Sequence, residues 1–166
     1  AHRGVFGMKY YIGIDLGGTN IVAGVVDENF SLIATASNKT NAGRPADQIV
    51  ETMAQTAAQA AEKAGISMEQ IESVGIGSPG IVDSQKREVI FASNLDFYNA
   101  PIGQLLEDRL HRPVFLANDA DAAAYGEFMA GAGKTENGQH ISNMVAITLG
   151  TGVGSGIIIN LSLIHI

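Results

Sequence analysis

Two β-prone segments separated by a Gly-Gly-Thr turn constrain the fold of this chain more than any other feature. Residues 12–16 form an apolar run interrupted by an aspartate, and residues 21–26 form a second run rich in valine. Such runs on either side of a short glycine-rich turn predict a tight antiparallel hairpin. Residues 31–37 favour a third strand, so the chain is expected to open with a meander of three strands.

The first turn is also suited to binding a phosphate. Gly17 and Gly18 lack the Cβ atoms that would keep a ligand from the backbone, so amide N–H groups and the Thr19 hydroxyl are free to donate to phosphoryl oxygens. Asn20 completes the motif, and Asp15 before it is a candidate Mg²⁺ ligand, directly or through water. The alternative, in which the glycines only form a hairpin and Asp15 only ends a strand, stays open from this motif alone.

Composition and charge indicate a folded globular protein and exclude some partners. Of the 166 residues, 46% are hydrophobic and 16% are charged, which argues against disorder. The net charge of −7, without a cluster of lysine and arginine, argues against a nucleic-acid partner. No apolar run is long enough for a membrane span, and the absence of cysteine, which excludes disulfides and thiolate metal sites here, fits a cytoplasmic protein.

Both ends of the chain are expected to be foreign to the domain. Residues 1–7 precede Met8 and are predicted to be a non-native or disordered leader. Residues 161–166 resemble the translation of a sequencing-library transposon end, so we expect the chain to be a fragment. A genuine C-terminal strand is the alternative, because these residues are apolar and suit a strand.

The rest of the chain alternates between helical and strand patterns. Pro45 and Gly65 bracket an alanine-rich helix over residues 46–64, and Pro101 opens a helix that runs to about His111. Residues 93–99 are predicted to be an irregular binding loop. The other predicted elements are strands at 71–76, 81–83, 88–91, 114–117, 143–149 and 153–159, and a helix at 120–130.

Two familiar nucleotide-binding patterns occur but lack their structural context. Residues 75–80 match Gly-x-Gly-x-x-Gly, yet a hairpin is predicted after them where a dinucleotide site needs a helix. Gly133-Lys134-Thr135 lacks the glycine of a P-loop, since Phe128 stands there, and it follows a helix. We interpret the first pattern as room for a substrate and the second as a helix stop.

A second glycine-threonine turn and an Asn-Asp pair add to the phosphate interpretation. Gly150-Thr151-Gly152 joins the last two predicted strands, and two such turns facing each other could hold a triphosphate. Asp119, placed where a strand gives way to a helix, could accept the proton of an attacking hydroxyl. The alternatives are coincidence in a glycine-rich chain and a helix cap formed by Asn118 or Asp119.

Taken together, these motifs resemble in order and spacing those of the ROK family of bacterial sugar kinases, most closely its glucokinase-like members. The resemblance covers roughly residues 8–160, and Ser155 interrupts a glycine run that is common in the family. The residues that carry it are Ile12 to Asn20, Gly77-Ser78-Pro79-Gly80, Ser93-Asn94-Leu95, Leu116-Ala117-Asn118-Asp119-Ala120 and Leu149-Gly150-Thr151-Gly152-Val153-Gly154.

The resemblance implies an α/β fold of the actin-like ATPase (ribonuclease H-like) type, with a mixed sheet, three leading antiparallel strands and flanking helices. Residues 8–140 would form the N-terminal sugar kinase domain, and residues 141–160 would be the first hairpin of a truncated C-terminal domain. The implied activity is ATP- and Mg²⁺-dependent phosphorylation of a hexose, with glucose converted to glucose 6-phosphate for glycolysis.

The resemblance also implies roles for individual residues. Asp119 would be the catalytic base, and Asp15 would hold Mg²⁺. The residues that would contact the sugar are Ser78, Pro79, Gly80, Asn94, Asn118 and Asp119, and those that would bind ATP phosphates are Gly17, Gly18, Thr19, Asn20, Gly150, Thr151 and Gly152.

Other family features are expected beyond this chain. They are a Glu/His sugar-binding segment, a cysteine-rich motif for a structural zinc, and the adenosine pocket. The fragment is therefore expected to be inactive, with an exposed apolar ribbon on its last hairpin. The parent is expected to be a homo-oligomer, usually a dimer, without nucleic-acid or membrane partners.

Alternative functions remain within the same fold. Fructose, mannose or an N-acetylated amino sugar could replace glucose, because the same hydroxyl contacts would serve several hexoses. A ROK-type sugar-responsive transcriptional regulator is disfavoured, because only eleven residues precede Ile12. An actin-like or chaperone-type ATPase without a sugar site is disfavoured by Asn94 and by the Asn118-Asp119 pair.

Overall fold

A computed structural model describes residues 7–135, 137–149 and 153–164 of the chain. Its helices are α1 (Ala46–Ala64), α2 (Ile102–Leu110) and α3 (Asp119–Ala130), with a short 3-10 helix at Met68–Gln70. Its strands are β1 (Tyr10–Leu16), β2 (Asn20–Asp27), β3 (Leu32–Lys39), β4 (Ile71–Ser78), β5 (Ile81–Asp83), β6 (Glu88–Ala92), β7 (Phe97–Ala100), β8 (Val114–Asn118), β9 (Met144–Leu149), β10 (Val153–Ile159) and β11 (Ser162–Ile164).

The main sheet has five strands in the order β3-β2-β1-β4-β8. Strands β1, β2 and β3 pair antiparallel, and β4 and β8 run parallel to β1. This confirms the predicted mixed sheet with three leading antiparallel strands. Because β1, β4 and β8 are parallel, their carboxyl ends meet at one edge of the sheet.

The two faces of this sheet have different surroundings. Along β1, Ile12, Ile14 and Leu16 are buried in the core, whereas Gly13 and Asp15 lie on the opposite face, since side chains alternate along a strand. Helix α1 covers the core face and contributes buried Ile49 and Met53, among others. Alternation thus places Asp15 away from the core.

Helix α1 has the bounds that the sequence predicts. It begins after Pro45 and ends at Gly65, which takes the left-handed conformation with φ of 69°. The amides of Gly65 and Ile66 donate to the carbonyls of Glu62 and Ala61, which closes the helix end. None of the helices that the structure describes is long and apolar enough to cross a membrane.

A second sheet has three strands in the order β5-β6-β7, and its last strand differs from the predicted binding loop. Residues 93–99 were expected to be irregular, but β7 pairs with β6 through Tyr98 opposite Phe91 and Ala100 opposite Val89. Phe97 is buried in the core, and its burial fixes a strand that is only four residues long. Because this strand is defined by contacts with other parts of the chain, its own sequence shows little strand periodicity.

The last sheet, in the order β11-β10-β9, packs on α3 through one face. Gly156 allows this approach, because a Cβ there would lie 2.3 Å from the Cβ of Ala124. The other face is exposed, which confirms the predicted apolar ribbon. Its exposed fractions are 63% for Val145, 64% for Ile147, 81% for Leu149 and 78% for Val153.

Residues of the presumed foreign tail form the third strand of this sheet. Strand β11 pairs with β10 through Leu163 opposite Ile158. A strand is the alternative that the sequence left open for this segment. The domain boundaries at residues 7, 140 and 160 stay predictions.

Two helical glycines allow a matched test of the packing. A Cβ on Gly103 of α2 would lie 2.5 Å from the Cβ of Arg87, whereas a Cβ on Gly126 of α3 would meet no atom within 4 Å. We expect Gly103→Ala to lower the free energy of unfolding by about 1–3 kcal/mol, because the Arg87 backbone must move. We expect Gly126→Ala to raise it by up to about 1 kcal/mol, since alanine loses less conformational entropy in a helix. Urea denaturation measures both, and equal stability of the two variants would contradict the close packing of α2.

Candidate active site

The carboxyl ends of three parallel strands gather the polar residues that the sequence singles out. In the register of the sheet, Asp15 of β1 lies opposite Gly77 of β4, and Gly77 lies opposite Ala117 of β8. One position further, Ser78 lies opposite Asn118. The sheet therefore places Asp15, the loop after Ser78 and the start of α3 at one edge.

Asn118 joins two structural elements through its side-chain amide. Its Oδ1 accepts hydrogen bonds from the backbone N–H groups of Ala120 (2.9 Å) and Asp121 (3.4 Å), so it caps α3. Its Nδ2 donates to the carbonyl of Gly80 at 3.0 Å. The cap that the sequence offered as an alternative is thus present. One Nδ2 hydrogen has no acceptor among the described residues and can serve a ligand.

The loop after β4 depends on Gly80. This residue has a φ of +89°, and a Cβ on it would lie 2.1 Å from the carbonyl oxygen of Phe91. Only glycine fits this conformation and this close approach. Ser78 is fully buried, and its hydroxyl donates to the carbonyl of Pro79 at 3.2 Å. Pro79 and Gly80 are therefore the parts of the loop that a ligand can reach.

Asp119 is the first residue of α3 and is exposed. Its Oδ1 accepts a hydrogen bond from the N–H of Ala120 at 2.8 Å. The predicted helix began one residue later, at Ala120. Asp119 therefore belongs to the first turn of α3.

Asp15 and Asp119 are close enough to influence each other. Partial burial raises the pKa of Asp15 above its usual value, and the negative charge of Asp119 raises it further. Gly77 lies beside both, and a Cβ there would be only 3.6 Å from the Cα of Asp119. Gly77 therefore lies next to Asp15 in the sheet and next to the start of α3.

The donor set at this point fits Mg²⁺. Within the described residues there is no group of three or more histidine, cysteine or acidic side chains that could hold a metal. Mg²⁺ commonly uses only one or two carboxylates, together with water and phosphate oxygens. Two neighbouring carboxylates, one with a raised pKa, suit that pattern.

The first glycine turn is held in a defined shape. The N–H of Gly17 donates to the carbonyl of Asn20 at 3.0 Å. In the described part of the chain, the N–H groups of Gly18 and Thr19 have no acceptor. The strand β1 ends at Leu16, directly before the glycine turn.

Two residues beside this turn bear on its chemistry. Asn94 lies against Gly18, since a Cβ on Gly18 would be 3.4 Å from the Nδ2 of Asn94. The structure therefore brings the predicted sugar loop next to the predicted phosphate turn. Lys39 donates from Nζ to the Oδ1 of Asn20 at 3.0 Å. The sequence motifs did not reveal this cation, because the contact depends on the pairing of β2 with β3.

The second turn, Gly150-Thr151-Gly152, lies outside the described residues. Its flanking strands β9 and β10 pair antiparallel as predicted, with Leu149 opposite Val153. Its role in binding phosphate stays a prediction.

The two nucleotide-binding patterns lack the required context in the structure too. The glycines at 75 and 77 lie within β4, and β5 follows Gly80 where a dinucleotide site would need a helix. Gly133-Lys134-Thr135 follows the end of α3 and not a strand. The structure thus confirms that both patterns lack their context and that the second follows a helix end, whereas room for a substrate at the first stays a prediction.

Comparison with known proteins gives a consistent result. The model of the ROK family matches residues 11–165. The glucokinase of Streptomyces coelicolor is 42% identical over 152 residues, which are 92% of this chain and 44% of that protein. The chain thus spans about half the length of such relatives.

Solved structures agree in fold. A ROK family glucokinase from Streptomyces griseus, in complex with glucose and AMPPNP, has a TM-score of 0.79 and 41% identity, covering 93% of this chain and 46% of that one. The inorganic polyphosphate/ATP-glucomannokinase of Arthrobacter sp. strain KM has a TM-score of 0.79 and 34% identity, covering 94% and 60%. These structures have the actin-like ATPase fold, which confirms the predicted fold class. Because the ROK family model matches nearly the whole chain, the chain belongs to the ROK family.

Proposed function

We propose that the whole gene product transfers the γ-phosphoryl group of ATP to a hexose, with glucose as the main substrate. One observation carries the proposal: a turn with free amides, the Asn94 loop and the Asp15–Asp119 pair lie at the same sheet edge. Such a transfer needs groups for the phosphates, for the sugar and for one proton. The similarity to a glucokinase in complex with glucose and AMPPNP supports this choice of substrates.

Asp119 is proposed as the general base. It would accept the proton of the attacking sugar hydroxyl as the oxygen–phosphorus bond forms. Its place in the first turn of α3 fixes its backbone. Because its side chain is exposed, the carboxylate is accessible to a sugar.

The sugar is proposed to lie between Asn94, Asn118 and the Pro79–Gly80 turn. The free Nδ2 hydrogen of Asn118 would donate to a sugar hydroxyl while its Oδ1 continues to cap α3. Ser78 would support this turn from the core, because its side chain is buried. Orientation by several short contacts is how an enzyme lowers the entropic barrier of such a transfer.

The ATP phosphates are proposed to bind the first turn and the second turn together. The amides of Gly18 and Thr19, with the Thr19 hydroxyl, would donate to phosphoryl oxygens on one side. Gly17 and Asn20 close this turn, and Gly150, Thr151 and Gly152 would form the opposite side. Lys39, beside Asn20, adds a positive charge near the anion.

Asp15 is proposed to hold Mg²⁺, directly or through water. The ion would supply positive charge that neutralises the transferred phosphate. The carboxylates would place this charge beside Gly77.

Mannose is a second candidate substrate, because a glucomannokinase is among the structures with a TM-score of 0.79. Fructose, amino sugars and a regulatory role have no specific support in the site. A cytoplasmic location, a homodimer, the absence of nucleic-acid and membrane partners, and a structural zinc outside this chain stay predictions.

The central test is a coupled assay of the whole gene product with ATP, Mg²⁺ and a panel of hexoses. We expect Asp119→Asn to lower kcat for glucose by about 10²–10⁴-fold, because asparagine cannot accept the proton. The side-chain oxygen of asparagine can still accept the hydrogen bond from the N–H of Ala120. Glucose binding, followed by calorimetry, should persist. Asp121→Asn, a change of the same kind in the same helical turn, is the matched control and should retain most of the activity.

Two outcomes would contradict different parts of this proposal. Turnover by Asp119→Asn within tenfold of the parent would remove Asp119 from the role of base. Absence of phosphoryl transfer by the parent to every hexose of the panel would overturn the kinase function itself.

A second prediction follows from the raised pKa of Asp15. The native state holds the Asp15 proton more tightly than the unfolded chain, so the ionised carboxylate lowers stability above the native pKa. This penalty disappears below the ordinary pKa of 3.8, where both states are protonated. We therefore expect Asp15→Asn to raise the free energy of unfolding at pH 7 and to give no gain below about pH 3.8. Urea denaturation at both pH values measures the difference. An equal gain in the free energy of unfolding at both pH values would contradict the conclusion that ionised Asp15 lowers stability.

A further inference from the structure

Thr40, directly after β3, is fully buried against the first glycine turn. Its hydroxyl donates to the carbonyl of Gly17 at 2.6 Å, and its backbone N–H donates to the carbonyl of Thr19 at 2.9 Å. The contact spans 23 residues of sequence. No local motif in the sequence points to it.

The hydroxyl of Thr40 sets the direction of an amide that it does not touch. The carbonyl of Gly17 and the N–H of Gly18 belong to one planar trans peptide unit, so they point in opposite directions. Anchoring the carbonyl on the core side therefore turns the Gly18 N–H outward. In the same way, the hydrogen bond from the Thr40 N–H to the Thr19 carbonyl sets the direction of the Asn20 N–H, which belongs to the same peptide unit as that carbonyl.

This anchoring matters because the turn contains two consecutive glycines. Glycine samples far more backbone conformations than other residues, so an unanchored Gly17-Gly18 segment would present its amides in many directions. A binding site whose donors are fixed in advance avoids the entropic penalty of ordering them when the ligand arrives. In the turn, the carbonyls of Gly17, Thr19 and Asn20 all accept hydrogen bonds from within the chain.

Thr40 is itself held in place. Arg44 donates from Nη2 to the carbonyl of Thr40 at 2.6 Å and to the hydroxyl of Thr52 in α1 at 3.1 Å. The N–H, the hydroxyl and the carbonyl of Thr40 are thus all engaged, and α1 fixes the residue relative to the sheet. The anchor of the turn is thus connected to α1 through Arg44.

We propose that Thr40 is a positioning residue for the phosphoryl donor, and that its hydroxyl sets the affinity for ATP without affecting the affinity for the sugar. The inference rests on the proposed function, because it assigns the donor phosphates to the turn of residues 17–20. Asp119 and Asn118, two of the residues that would contact the sugar, lie on other strands and helices and make no hydrogen bond to Thr40 among the described residues. Asn94, the third, lies against Gly18 of the turn, and within the described residues it also makes no hydrogen bond to Thr40.

Thr56 provides a matched control. It is also fully buried, and its hydroxyl also donates at 2.6 Å to a backbone carbonyl, that of Thr52 inside α1. Its hydroxyl accepts a hydrogen bond from Asn38, and among the described residues it makes no hydrogen bond to the turn. Removing its hydroxyl tests the loss of a buried hydrogen bond without loss of the anchor.

The test compares Thr40→Val, Thr40→Ser and Thr56→Val in the whole gene product. We expect Thr40→Val to raise the KM for ATP about tenfold, in line with the loss of one oriented donor to a charged group. The KM for glucose should stay within about twofold of the parent value. Thr40→Ser, which keeps the hydroxyl, should restore the parent KM for ATP, and Thr56→Val should change neither KM while lowering the urea midpoint.

Titration of Mg²⁺-ATP into each variant by calorimetry gives a readout that does not depend on turnover. Thr40→Val should bind ATP about tenfold more weakly than the parent and Thr56→Val. If Thr40→Val does not fold, Thr40→Ala removes the same hydroxyl without adding a second methyl group.

Different results separate this inference from the proposed function. If the parent phosphorylates glucose and Thr40→Val binds ATP as tightly as the parent, the role of Thr40 is overturned and the kinase function stands. Equal increases in both KM values would make Thr40 merely structural and would also overturn the inference. A parent that binds ATP but phosphorylates no hexose would overturn the proposed function, and calorimetry would still decide the role of Thr40.

Discussion

Strand β1 is paired on both sides, antiparallel with β2 and parallel with β4, and the geometry of the site depends on this double pairing. A strand has a side-chain period of two, so the burial of Ile12, Ile14 and Leu16 in the core requires Asp15 to face the other way. A register slip of one residue would bury the carboxylate and expose the apolar side chains. The hydrophobic core therefore also determines the position of the acidic group.

The elements with strong local signals could be predicted from the sequence, and those that depend on distant contacts could not. Helix α1 has alanine-rich periodicity, a preceding proline and a terminal glycine, and its bounds agree with the prediction. Strand β7 has no comparable pattern, because its pairing with β6 and the burial of Phe97 define it. Helix α3 begins one residue earlier than predicted, since Asn118 and not Asp119 supplies the cap.

At the site, short motifs identified residue types but not how the residues are held. The Asn118-Asp119 pair left cap and ligand as competing roles, and the structure shows that Asn118 can cap α3 with its oxygen while its nitrogen remains partly available. Thr40 and Lys39 lack a motif altogether. Their relation to the turn arises only when β3 pairs with β2, about twenty residues away along the chain.

The Asp15–Asp119 pair shows how the requirements of binding oppose those of folding. Partial burial and, to a smaller extent, the nearby charge of Asp119 raise the pKa of Asp15, so the ionised Asp15 carboxylate lowers the stability of the folded chain. A neutral residue at position 15 would remove that penalty, whereas one at position 119 would remove only the smaller part that comes from the charge of Asp119. The pair lies beside Gly77 at the edge of the sheet. A cation placed there would relieve the repulsion, since its field favours both carboxylates in their ionised form. The part of the penalty that comes from repulsion between Asp15 and Asp119 would therefore be smaller with a cation bound.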